Sequence, residues 1–322
     1  MCMETSNQQR SMTPKERAEA ALTLQVPDQI PTFELEFQLE EEFFGRRFVR
    51  SDSISHIAGS KRERLLQVNA EYMVEVYTNL EYSIIPVHYL NWDDLQHSTR
   101  YLRQIVGDTM MLTTHGDGTF SIPDGDHLLE FYFWLADTPQ DAHYHAAQLA
   151  RRAIERNKRL IDAGMDSFIL CSDYCFNAGP FMSPAMFSEF VTPYLHQIIS
   201  ETKRAGAYCI KHTDGNIMPI LDQLVACEPD GLHSLDPMAG VDIKEVKQLV
   251  GDRLCLCGNV NCALMQTGSE DEVIASAEYC IEHGKPGGGY IFCTSNVPFA
   301  GLPPERYRLI LDVWRKHRDY PF

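Results

Sequence analysis

The stretch CIKHTDGN, residues 209 to 216, sets His212 and Asp214 two positions apart with Gly215 directly behind them. Near the end of a strand, residues i and i+2 project to the same side. An imidazole and a carboxylate so placed can reach one cation, or the carboxylate can orient the ring for proton transfer. Asp214-Gly215-Asn216 is also ordinary turn and helix-cap sequence, so the surroundings must decide between chemistry and a decorated turn.

Comparable groups recur along the chain. Glu34 and Glu36 share one face of FELEF, His88 closes SIIPVHYL after its apolar run, and His115 and Asp117 lead into a glycine-rich loop. CSDYC supplies Cys171, Asp173 and Cys175, whose C-x-x-x-C spacing is a weak zinc signal without a second pair. Ser234 and Asp236, Cys257 and Asn259, and Cys293, Ser295 and Asn296 follow in turn. Glu34, Glu36, His88, His115, Asn259 and Asn296 are candidate substrate-binding residues. His88 and His115 also read as satisfied core or loop histidines. Asp236-Pro237 reads as a turn start. Cys171, Cys209 and Cys255 sit within apolar strands and read as small core residues. Arg46, Arg47 and Arg50 can hold an anionic group or simply face solvent. Tyr89, Trp92, Phe176, Phe181 and Phe299 suit an apolar or aromatic ligand, or packing.

The elements that must position these groups form a regular series. Helical patterns cover residues 12–24, 60–80, 139–163, 183–204, 269–283 and 304–317. Short apolar strands are expected at 30–37, 82–90, 164–173, 206–212, 229–237, 253–259 and 288–296, with another entering the loop near 115. Strands alternating with amphipathic helices give βα units and a parallel sheet. About eight of them match a single (β/α)₈ TIM barrel over residues 1–322, with an N-terminal extension and helix in 1–25. An open doubly wound sheet is the other architecture, but no G-x-G-x-x-G follows the first strand. In a barrel the C-terminal strand ends share one mouth, which is where the polar groups above fall.

Composition narrows the function. With 322 residues and 44% hydrophobic residues, a large core is possible. A net charge of −17 disfavours nucleic acid and anionic membranes as partners. No apolar run is long enough to span a bilayer. The polar start MCMETSNQQRSMTPKERAEAA lacks a signal-peptide core, and the cytoplasm is the expected compartment. Ten scattered cysteines read as reduced thiols.

GMDSFILCSDYCFNAGPFMSPAMFSEFVTPYLHQII, HTDGNIMPILDQL, DGLHSLDPMAGVDIKEVKQLVGDRLCLCGNVN and GGYIFCTSNVP together resemble the uroporphyrinogen decarboxylase superfamily. The resemblance is dense from 164 to 317 and thin from 40 to 135. It implies a (β/α)₈ barrel and one of two activities. True decarboxylases remove acetate carboxyls from a tetrapyrrole in porphyrin biosynthesis without a cofactor. They carry an arginine-rich stretch similar to MRQAGRY after the first strand. Here that place reads FELEFQLEEEFFGRRFVR. The second branch comprises corrinoid-dependent methyltransferases, whose zinc site resembles His-x-Cys plus a later Cys. His212 matches the histidine, Asp214 stands at the first cysteine, and Ser295 at the second, with Cys293 two residues upstream. The resemblance therefore implies zinc on His212, Asp214 and Cys293, in a harder site than a thiolate one. It implies methyl transfer from a small O- or N-methyl donor to a corrinoid on a partner protein. Asp173, His212 and Asp214 are then the catalytic candidates, with Glu34 assisting. Acid catalysis by a desolvated carboxyl is the metal-free alternative.

Overall fold

The computed structural model describes residues 11–321. Its strands are β1 (Ile84–Pro86), β2 (Met111–His115), β3 (Ser167–Cys171), β4 (Cys175–Phe176), β5 (Gly179–Pro180), β6 (Tyr208–His212), β7 (Gly231–His233), β8 (Cys255–Cys257) and β9 (Tyr290–Ile291). Seven of them make one parallel sheet in the order β1-β2-β3-β6-β7-β8-β9, while β4 and β5 form a small antiparallel hairpin beyond β3. The seven are nearly continuous apolar runs, and almost every residue in them is buried. That is the signature of a parallel sheet covered on both faces. The chain is thus an α/β protein built on a parallel sheet.

Helices follow the strands. Pro14–Leu22 opens with a capping box between Thr13 and Glu16. Gly59–Asn79, Trp92–Val106, Pro139–Ala163, Glu270–Gly284 and Pro304–His317 are the long outer helices. The helix expected over 183–204 is two, Pro184–Phe190 and Thr192–Arg204, because Pro193 cannot continue the hydrogen-bond ladder. The stretch 100–135, which gave little pattern, holds the end of Trp92–Val106 and most of Leu128–Asp137.

The first expected strand, 30–37, is reduced to one parallel bridge, Thr32 with Phe292. Thr32 O accepts from Ser83 N at 2.7 Å, and Pro31 O accepts from Phe292 N at 2.9 Å. The segment therefore bonds to the residues next to both outer strands without becoming a strand itself. Pro31 has no amide hydrogen to give. Further along, Thr294 N donates to the Glu34 carboxylate at 3.1 Å instead of extending a backbone ladder. Of the extension expected at 1–25, residues 1–10, with Cys2, lie outside the described residues. No described helix is long and apolar enough to cross a membrane.

Candidate active site at the strand ends

Parallel register gathers the site. Cys171 pairs with His212, His212 with His233, and His233 with Cys257 across β3, β6, β7 and β8. Each is the last residue of its strand, so all four stand on one rim. His115 ends β2 on the same rim.

His212 is buried, and its Nδ1 lies 2.7 Å from Nδ1 of His233. One of these nitrogens must donate and the other accept. Nε2 of His212 faces two carboxylates, Asp173 Oδ1 at 3.7 Å and Asp214 Oδ1 at 3.9 Å. Burial, helped by Lys211 and His115, pushes the His212 pKa down to about 3, so the ring is neutral. Asp173 is half exposed (52% of its side chain), which opens the cluster to solvent, and its Oδ1 accepts from Asp214 N at 3.1 Å.

Asp214 is held from two sides. Asn296 Nδ2 donates to Oδ2 at 2.6 Å. Ser234 Oγ lies 2.7 Å from Oδ1 and 2.6 Å from the carbonyl of Ser295. A hydroxyl has one proton, and a carbonyl can only accept. When Ser234 gives its proton to Ser295, Asp214 must itself carry a proton to bond Ser234. Burial raises the Asp214 pKa to about 6, with Asp173 and Asp236 adding to it and Ser234 opposing. Both facts bring the neutral acid within reach near neutral pH.

The local sequence makes this turn possible only with glycine at 215. Its φ is +81°, and a Cβ there would stand 2.3 Å from the carbonyl oxygen of Cys175. The β4–β5 hairpin thus folds directly over the 213–216 loop, and Asn216 N donates to Phe176 O at 3.0 Å.

One donor atom each from Asp173, His212 and Asp214 lies within 4.8 Å of the others. One imidazole and two carboxylates, with the second ring nitrogen bonded, suit a divalent ion such as zinc. The thiol expected to complete that set is elsewhere. Cys293 is fully buried, does not cluster with His212 and Asp214, and has its Sγ 4.0 Å from Ile291 O. Burial pushes its thiol well up, with Glu34 and neighbouring cysteines adding. A neutral buried thiol is not a ready ligand.

A second group lies on the same rim: Glu36, His88 and His115. The His88 and His115 rings are 4.1 Å apart at 36°, and His115 Nε2 is 3.8 Å from Glu36 Oε1. Tyr89 donates its hydroxyl hydrogen to Glu36, and Gln38 Nε2 donates to Glu36 Oε2 at 3.2 Å.

Two expected substrate contacts are buried and engaged by protein groups. Glu34 is buried among Thr294 and Tyr307, and burial raises its pKa to about 8. Asn259 is buried, donates to Leu235 O at 2.6 Å and accepts from Cys280 Sγ at 3.3 Å, so it packs against Glu270–Gly284. Arg46 and Arg50 lie over the rings of Tyr72 and Tyr89, and Arg47 pairs with Glu41. Asp117 is tied to the buried Lys211 at 2.8 Å. His233, Ser234 as a partner of Asp214, and Lys211 join the site only in the folded chain. Register was the available signal, since His233 must flank His212 once the two strands pair in parallel.

Residues 124–317 match the family model described as Uroporphyrinogen decarboxylase (URO-D). A uroporphyrinogen decarboxylase of Thioalkalivibrio sulfidiphilus is 24% identical over 188 residues, covering 56% of this chain and 50% of that protein. One of Vibrio vulnificus is 25% identical over 189 residues, covering 54% and 48%. The chain therefore spans about half the length of the curated relatives it matches. Among solved structures, a methyltransferase from Methanosarcina mazei superposes with a TM-score of 0.72 at 16% identity, covering 95% of this chain and 99% of that one. The two share a fold.

Proposed function

The chain belongs to the uroporphyrinogen decarboxylase family, and from that premise we propose that it moves a methyl group from a small O- or N-methyl donor to a corrinoid held by a partner protein. The observation that carries this reading is the Asp173–His212–Asp214 cluster at an open rim. In the transfer, the carbon–oxygen or carbon–nitrogen bond of the donor breaks and the methyl carbon bonds to Co(I), which supplies both electrons. The leaving atom keeps its bond pair and needs a proton. Asp214 supplies that proton at Oδ1, where Ser234 holds it. Asp173, the exposed member, orients the donor, and His233 fixes the His212 ring. With Asp214 ionised instead, Asp173, His212 and Asp214 would hold a zinc ion, which would supply Lewis acidity at the leaving atom in place of the proton.

The rim disfavours the alternative, decarboxylation of a polyanionic tetrapyrrole. Glu36, Asp173 and Asp214 face it, whereas Arg46, Arg47 and Arg50 are committed to Tyr72, Glu41 and Tyr89. A neutral donor meets no such repulsion. We further read the segment around Thr32 as the eighth stave of a closed (β/α)₈ barrel, since it bonds to Ser83 beside β1 and to Phe292 beyond β9. The nine described cysteines are free thiols, which suits the cytoplasm.

The test is incubation with cob(I)alamin and a panel of methoxy compounds and methylamines, following the methylcobalamin spectrum. Wild type should form it with at least one donor, and Asp214→Asn should slow it by about 10²–10⁴-fold. Loss of carboxyls from a porphyrinogen, with no methylcobalamin from any donor, replaces this reading with the decarboxylase.

A further inference from the structure

We propose that Glu36, His88 and His115 form a second metal site, separate from the Asp173–His212–Asp214 cluster and built for a divalent first-row ion of the zinc type. One donor atom of each residue lies within 4.8 Å of the other two. Donors around a tetrahedral zinc stand about 3.4 Å apart, given bonds near 2.1 Å. Closing the group on an ion therefore takes side-chain shifts of about an ångström, not a backbone rearrangement.

Three details distinguish the group from a chance meeting. His88 Nε2 donates to the carbonyl of Leu35 at 2.7 Å. That bond fixes the tautomer and leaves Nδ1 with a bare lone pair, which is how metal-bound histidines are usually held. His115 Nε2 is buried with no hydrogen-bond partner, although Glu36 Oε1 is only 3.8 Å away. A cation between them satisfies both at once. Glu36 is itself braced by Tyr89 and Gln38, the outer support that a ligating carboxylate needs. Two neutral imidazoles and one carboxylate give the net negative charge that a divalent ion requires. Arg156, whose guanidinium donates to Asp117 O at 3.2 Å, acts electrostatically on His115 and opposes the ion; the Glu36 charge offsets it.

The donors come from β2 and from the connections flanking β1, all before residue 124, where the family match begins. The site therefore lies wholly in the part of the chain that precedes the family match. His115 keeps 41% of its side chain exposed, so the group lies within reach of ions from solvent.

Chelator-treated protein reloaded with Zn²⁺ or Co²⁺ tests this. Wild type should bind one more ion per chain than Glu36→Gln or His115→Ala, while His212→Ala keeps that ion. Cobalt in the site should give visible d–d absorption that both variants lose, with circular dichroism confirming that they fold. A second readout needs no variant: zinc should shift the ¹⁵N resonances of the His88 and His115 rings in wild-type protein. Unshifted rings at saturating zinc, or equal zinc content in wild type and both folded variants, overturns the proposal. Neither readout depends on methyl transfer, so failure of that activity and failure of this site are told apart.

Discussion

Glu34 shows how far a single residue can depart from its sequence pattern. Alternation in FELEF puts Glu34 and Glu36 on one face, which suggested two acids at the mouth. Only Glu36 is there. Glu34 is 1% exposed and bonded to Thr294 and Tyr307, whose hydroxyl meets that of Tyr82. Burial raises its pKa from 4.5 to about 8, while those hydrogen bonds oppose the rise. The folded protein thus binds the proton more tightly than the unfolded chain, and stability falls as pH rises between those values. The loss is on the order of 5 kcal/mol and is complete above pH 8. Glu34→Gln should remove most of this slope and be the more stable form at pH 9. Urea midpoints at pH 5, 7 and 9 check it; parallel pH curves for the two proteins would refute it. Residue types alone could not reveal this role, because it depends on a contact with a residue 260 positions away.

At the scale of elements, the seven sheet strands were legible because each is a short apolar run bounded by turn residues. The eighth was not, because Pro31 and the Glu34–Thr294 contact interrupt a ladder that the alternation implied. His212 and Asp214 were legible for a related reason, since a strand end fixes which side i and i+2 share. His233 was not, because it enters only through register with a neighbouring strand. The loop that carries Asp214 makes its own prediction. With φ +81° and Cys175 O only 2.3 Å from an added Cβ, Gly215→Ala must either strain the loop or push the β4–β5 hairpin away. The expected cost is about 2–4 kcal/mol. The hairpin should also become a preferred protease site, since Asn216 N no longer reaches Phe176 O. A denaturation midpoint within about 0.5 kcal/mol of wild type, with an unchanged digestion pattern, would show that the loop relaxes freely.

At the scale of the whole molecule, the rim that carries the two metal-capable groups closes into a mouth only if the sheet curls far enough to bring β1 and β9 together. The segment 28–34 is the element positioned to join them. Thr32 O takes the Ser83 amide beside β1, and Pro31 O takes the Phe292 amide beyond β9. From outside, the C-terminal stretch clamps the same segment. Trp314 Nε1 donates to Ile30 O at 3.0 Å, Ile30 N donates to Arg318 O at 2.8 Å, and Gln29 bridges Asp319. If closure is part of the core, the amides of Ser83 and Phe292 exchange with solvent only through global unfolding. They should then show the same free energy as the amides of Ile210 and Leu232 in the middle of the sheet. Trp314→Phe keeps most of the packing but removes the bond to Ile30, leaving that carbonyl buried and unpaired at a cost of about 1–3 kcal/mol. In that variant the protection of Ser83 and Phe292 should fall before that of Ile210. Native-state hydrogen exchange measures all four amides together. Fast exchange of Ser83 and Phe292 in wild type, at the rate of loop amides, would mean that the sheet is open at this edge and that the two halves of the mouth are not held in register.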